Sequence, residues 1–137
     1  PEEVTGDGHP GGQRILVVED DAAAGRLITK ALEREGFEVM IAGNGQEALA
    51  LARQRDHTFD MVLTDVVMPV MNGPELVAKL RETIPDLSAL FMSGYTDVVL
   101  ARQGFSIVDV DLLRKPFTPH RLLAKVRSFL RRGSTGR

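Results

Sequence analysis

A chain of 137 residues is one domain's length, and 17 Lys and Arg against 19 Asp and Glu leave a net charge of -2. That near-balance excludes a field strong enough to drive binding to nucleic acid or anionic lipid by charge alone. Hydrophobic residues at 43% and charged residues at 26% argue for a core and against global disorder, and the absence of Cys rules out a disulfide framework, a zinc–thiolate site and a cysteine nucleophile.

Residues 1–13 read PEEVTGDGHPGGQ, too rich in Gly, Pro and acids for a core element, and are expected to be a flexible lead-in or linker. The domain is expected to run from 14 to 132, with 133–137 frayed. Ile15-Leu16-Val17-Val18 is apolar at every position, as in a strand buried on both faces of a parallel sheet, and ends in Glu19-Asp20-Asp21. Leu27, Ile28, Ala31 and Leu32 then mark one helix face, with Gly36 placed to end it. Phe37–Ala42 is a second strand, and Asn44 caps a helix bearing Ala48, Leu49 and Ala52. Met61–Thr64 is a third strand ending at Asp65, followed by a loop through Pro69 and Gly73. Pro74 opens a helix bearing Leu76, Val77, Leu80 and Ile84, which Pro85 stops. Leu87–Met92 is a fourth strand ending at Ser93-Gly94, and a helix from about Thr96 to Gln103 is closed by Gly104. Val110–Arg114 is a fifth strand ending at Lys115-Pro116. Thr118 caps a last helix with Pro119 first and Leu122, Leu123, Val126, Phe129 and Leu130 on one face.

Strict βα alternation with right-handed crossovers gives an α/β fold, a doubly wound five-stranded parallel sheet with helices on both faces. Such sheets bind ligands beyond the carboxyl ends of their strands. Those ends carry Glu19, Asp20 and Asp21, then Asp65, Ser93 and Lys115. Clustered carboxylates repel unless a cation intervenes, and their hard oxygens suit Mg²⁺, Ca²⁺ or Mn²⁺. A carboxylate can also be a nucleophile and form an aspartyl phosphate. Each residue has a plainer reading alone: Asp20 or Asp21 as a helix N-cap, Asp65 as a turn residue, Ser93 as a loop hydroxyl, Lys115 as a solvated charge. The conjunction favours the chemistry.

The pieces ILVVEDD, LTDVVMPVMNGPEL, FMSGYT and LLRKPFTP, in that order, resemble the receiver domain of bacterial two-component response regulators from Ile15 to about Leu130. The resemblance implies the flavodoxin-like strand order 2-1-3-4-5. It implies that Asp65 is the phosphoacceptor, and that Glu19, Asp20, Asp65 and the backbone carbonyl of Val67 hold Mg²⁺, Glu19 through water. Ser93 and Lys115 are then the groups on the phosphoryl oxygens, and Lys115-Pro116 is a cis bond. Asp21 is an extra acid, read as a helix-start residue. The family's switch pairs the hydroxyl position, here Ser93, with an aromatic residue three before the lysine, here Leu112, which has no ring to swing. Val67 and Tyr95 stand where the family gates the attacking water, and neither orients water well, so slow loss of the phosphoryl group is expected.

The implied function is a phosphoacceptor in a two-component phosphorelay, a signalling protein rather than an enzyme, taking its phosphoryl group from a histidine kinase or histidine phosphotransfer protein. Ser93-Gly94-Tyr95 resembles receivers attached to hybrid sensor histidine kinases, and a start at Pro1 suggests an excised module. Seven residues after Leu130 are too few for a DNA-reading helix pair, so no direct nucleic-acid contact is expected of this chain. With no signal-peptide pattern and no apolar run long enough to span a membrane, the expected location is cytoplasmic, free or tethered to a membrane sensor kinase. The expected state is a monomer or a weak phosphorylation-dependent dimer. A degenerate receiver acting as a binding scaffold is the alternative; an aspartyl-phosphate phosphohydrolase is disfavoured because Val66-Val67 follow Asp65 where an Asp-x-Asp motif is needed. No nucleotide-binding glycine motif follows any strand, and His9, His57 and His120 show no metal or triad spacing.

Overall fold

The computed structural model describes residues 12–95, 97–102, 104 and 112–135. In chain order the elements are β1 (Arg14–Val18), α1 (Ala22–Arg34), β2 (Glu38–Ala42), α2 (Gly45–Gln54), β3 (Met61–Asp65), α3 (Gly73–Arg81), β4 (Ser88–Ser93), α4 (Asp97–Arg102), β5 (Leu112–Arg114) and α5 (Pro119–Thr135). The five strands form one sheet in the order β2-β1-β3-β4-β5, every neighbouring pair parallel. This is the doubly wound order expected of the sequence.

The apolar strands are apolar because both of their faces are covered. Ile15, Val17, Met61, Leu63, Leu90, Met92 and Leu113 pack with Ile28 and Leu32 of α1 and with Leu122, Val126 and Phe129 of α5. Their strand neighbours Leu16, Val18, Val62 and Phe91 point the other way, into a second core with Ala48 and Ala52 of α2, Leu76, Val77 and Leu80 of α3, and Leu100 of α4. All four apolar residues of β1 are fully buried. At roughly 1.5–3 kcal/mol for each buried aliphatic side chain, these two layers are the main stabilising term.

The helix boundaries follow local chemistry. Asp21 caps α1, its carboxylate accepting from Ala23 N–H at 3.0 Å and Ala24 N–H at 3.2 Å, and Gly36 follows the helix at φ 92°, where glycine carries no Cβ penalty. Asn44 accepts from Glu47 N–H at 2.8 Å to cap α2. Asn72 and Glu75 form a reciprocal capping box on α3 with Pro in its first turn. Thr118 accepts from Arg121 N–H at 3.1 Å at the head of α5.

Two boundaries differ from expectation: α5 continues to Thr135, into residues expected to be frayed, and the third helix is shorter. α3 ends at Arg81 rather than running through Ile84 to Pro85. A proline ring disfavours helical backbone in the residue before it. The helix therefore unwinds early, and Leu80 O collects the N–H of Thr83 at 3.2 Å and of Ile84 at 2.9 Å. The expected strand start at Val110 lies outside the described residues, as does the lead-in to residue 11.

Candidate functional site

Strand register brings the site together. Val18 pairs with Thr64, so Glu19 and Asp65 each lie one residue past a paired position at the same sheet edge. Asp65 itself pairs with Met92, and Ser93 with Arg114. Ser93 and Lys115 thus follow on the next two strands, and Lys115 N–H donates to Ser93 O at 2.9 Å. The Lys115-Pro116 peptide bond is cis.

The side chains meet. Lys115 Nζ lies 2.6 Å from Glu19 Oε1 and 2.9 Å from Asp65 Oδ1. Glu19, Asp20 and Asp65 each offer an oxygen within 4.8 Å of the others. Glu19, Asp65 and Ser93 are buried and Asp20 is exposed, so the cluster opens to solvent through Asp20. Ser93 Oγ accepts from Tyr95 N–H at 2.9 Å, which leaves its own hydroxyl hydrogen free to donate elsewhere. Asp21 lies outside the cluster as a helix cap. Val67 sits in the loop after β3, and Leu112 packs half-buried in the second core beside the α4 layer.

Three carboxylates against one ammonium leave excess negative charge in a partly dry site, and the proton affinities show it. Burial pushes the Asp65 carboxyl up to about 7, and the neighbouring Glu19 pushes the same way, with Lys115 opposing both. Glu19 moves the other way. Burial works to raise it, but hydrogen bonds with Asp65, Lys115 and the Asp21 N–H together hold it below its ordinary value. Glu19 has the shorter contact to Lys115 and a backbone donor at 3.2 Å, so of the two acids Asp65 is the one whose proton affinity is raised. Burial works to lower the Lys115 ammonium, yet the two carboxylates raise it and keep it charged.

Two residues of the loop motif make close contacts to which sequence reasoning assigned no role. Gly73 N–H donates to Val66 O at 2.7 Å, and a Cβ on Gly73 would fall 2.3 Å from Asp65 O. Only glycine lets α3 start so close to the Asp65 backbone, and the loop glycine in PVMNG was its signal. Met71 sits over Gly45 at the start of α2, a contact no spacing rule announces.

A doubly wound sheet whose edge gathers clustered acids, a hydroxyl and an ammonium has the groups that could hold a cation and an anionic group side by side. The particular family is shown by sequence: residues 15–127 match the response regulator receiver domain, and the chain belongs to that family. The chain is 37% identical to the response regulator receiver protein CpdR of Brucella abortus, over 86% of this chain and 97% of that protein. It is also 37% identical to the sensor kinase CckA of the same organism, over 88% of this chain but only 13% of the kinase. With the DNA-binding response regulator MtrA of Mycobacterium tuberculosis it shares 38% identity over 88% of this chain and 51% of that protein. Among solved structures, the receiver domain of the hybrid histidine kinase CckA superposes with a TM-score of 0.72 at 33% identity, covering 85% of this chain and 98% of that one. CheY4 of Vibrio cholerae gives 0.73 at 30% identity with the same coverage. Receivers of this kind thus occur both as modules of long kinases and as nearly whole proteins. No helix among the described residues is long and apolar enough to cross a membrane.

Proposed function

We propose that this receiver accepts a phosphoryl group from a phosphohistidine onto Asp65 and signals by the conformational change that follows. The observation that carries the reading is the Lys115 ammonium within 2.9 Å of both Glu19 and Asp65, beside a third acid, Asp20. The donor set, all hard oxygens in an over-acidic pocket, fits Mg²⁺. Glu19, Asp20, Asp65 and the Val67 carbonyl would hold it. Once bound, the ion supplies charge neutralisation at the phosphoryl oxygens. An oxygen of ionised Asp65 attacks phosphorus in line as the phosphorus–nitrogen bond of the phosphoimidazole breaks, and the bonding pair stays with the ring nitrogen. Lys115 pairs with one phosphoryl oxygen, and the hydroxyl of Ser93 donates to another. Ser93 then leaves Tyr95 N–H, and Leu112, lacking a ring, follows only as packing.

Water later cleaves the acyl phosphate. The aliphatic Val67 and half-exposed Tyr95 do not orient that water well, which supports slow turnover and a signalling rather than an enzymatic role. A histidine kinase or histidine phosphotransfer protein is the donor, and the module works in the cytoplasm, free or tethered to a sensor kinase. The scaffold reading finds no support in the site, since every group the chemistry needs is present.

The test is labelling with a small phosphodonor such as acetyl phosphate. The parent chain should give a Mg²⁺-dependent, hydroxylamine-sensitive phosphoprotein with a lifetime well beyond seconds. Asp65→Asn should give none while remaining folded. Persistent labelling of that variant would overturn the assignment.

A further inference from the structure

We propose that Gly45, the first residue of α2, is a positioning residue for the acidic site, acting through Met71. The inference rests on the Mg²⁺ reading above and extends it to a corner of the fold that carries none of the proposed chemistry.

The turn between β2 and α2 touches both halves of the site. On one side Glu19 N–H donates to Ala42 O at 3.0 Å, which fixes the backbone of the first acid. On the other side Gly45 is buried beneath Met71. A Cβ on Gly45 would lie 2.8 Å from Met71 Sδ, 3.2 Å from its Cβ and 3.3 Å from its Cγ. The sulfur could swing away, but the Met71 Cβ is fixed to the loop backbone, so any side chain at 45 must push the loop itself.

That loop has little slack. Met71 N–H donates to Pro69 O at 2.7 Å around Val70, which has φ 71°. A bond spanning two residues at such a φ marks a strained γ-turn, and a β-branched residue is the least suited to it. Val70 is 90% exposed, so its own side chain cannot hold the turn. Gly73 N–H to Val66 O closes the far end at 2.7 Å. The anchor between these points is Met71, half-buried against the second core and seated on Gly45. The segment so held runs from Val66 to Gly73, follows directly on Asp65 and contains the Val67 carbonyl. An empty position at 45 therefore sets where one of the proposed Mg²⁺ ligands, the Val67 carbonyl, stands relative to Asp65, as outer partners orient ligands in other metal sites.

The experiment is Mg²⁺ affinity by calorimetry on folded chain, with melting in chelator recorded separately. Gly45→Ala should weaken Mg²⁺ binding roughly tenfold. Met71→Ala, which leaves a small gap and should fold, should weaken it by a smaller factor. In Gly45→Ala/Met71→Ala the added methyl no longer meets Sδ or Cγ and only the Cβ contact at 3.2 Å remains, so the combined loss should fall clearly short of the sum of the two single losses. A purely structural role predicts a lower melting temperature with Mg²⁺ affinity unchanged in all three, and that result would overturn the inference, as would additive losses in the double variant. If Gly45→Ala does not fold, unchanged affinity in Met71→Ala overturns it equally. Absence of Mg²⁺ binding by the parent chain would instead overturn the function reading, and this inference with it.

Discussion

Lys115 is held by two acids because neither acid alone has a better partner. Asp65 and Glu19 are buried close together, and the ammonium neutralises only one of them. Removing it should therefore matter most when both acids are ionised. Lys115→Met is expected to destabilise the Mg²⁺-free chain by about 1–3 kcal/mol at pH 8, below the ~3–5 kcal/mol of a fully buried pair because the lysine is part-exposed. At pH 6 the loss should shrink, since Asp65, with its affinity pushed up to about 7, then carries a proton. Urea melts at the two pH values check this; an equal loss at both would show that the lysine acts by packing alone. Asp65→Asn should do the reverse, gaining about 1 kcal/mol or more over the parent at pH 8 by removing a buried charge. These roles were legible in sequence because the carboxyl-end rule for open sheets turns strand ends into a list of residues. What it omits is the order of proton affinities, which depends on burial, on the hydrogen bonds Glu19 shares with Asp65 and Lys115, and on a backbone donor from Asp21.

At the scale of elements, the strands were legible because burial on both faces forces uninterrupted apolar runs, and the helices because Asp21, Asn44, Pro74 and Thr118 announce their starts. The end of α3 was not, because Pro85 acts on its predecessor's backbone and the unwinding spreads back to Glu82. Close approaches between elements were not legible either, since two glycines look alike in sequence. Gly73 and Gly94 make the contrast. A methyl at 73 meets Asp65 O at 2.3 Å, whereas a methyl at 94 finds nothing nearer than Lys115 Cβ at 3.8 Å. Gly73→Ala is expected to destabilise by about 3 kcal/mol or more, because backbone must move to admit it. Gly94→Ala should stay within about 0.5 kcal/mol of the parent. Chemical denaturation of the pair decides it, and similar midpoints would mean that the α3 start is softer than its short hydrogen bond implies.

At the scale of the whole molecule, the site opposes the fold that builds it. Two well-packed cores hold three carboxylates at one sheet edge. Folded Asp65 releases its proton near pH 7, whereas in the unfolded chain an aspartate does so near 3.9. Between those values the folded state binds more protons. The stability this group contributes is therefore complete below about pH 4 and is lost as pH rises through about 7. Mg²⁺ takes the place of that proton, so its effect must run the other way. At a free concentration of 100 times its dissociation constant the ion should stabilise by about 2.7 kcal/mol. For a domain of this size that is an upward shift in Tm of roughly 10 °C. At pH 6 the ion must first displace the proton, so the shift should be smaller at the same Mg²⁺ concentration. Melting curves in chelator and in Mg²⁺ at pH 6 and pH 8 measure all four corners. The chelated protein should melt lower at pH 8 than at pH 6, and Mg²⁺ should close or reverse that gap. A gap that Mg²⁺ leaves untouched would mean that the raised proton affinity of Asp65 and the proposed metal site are unrelated, and that the acids gather at this edge for some other cation or partner.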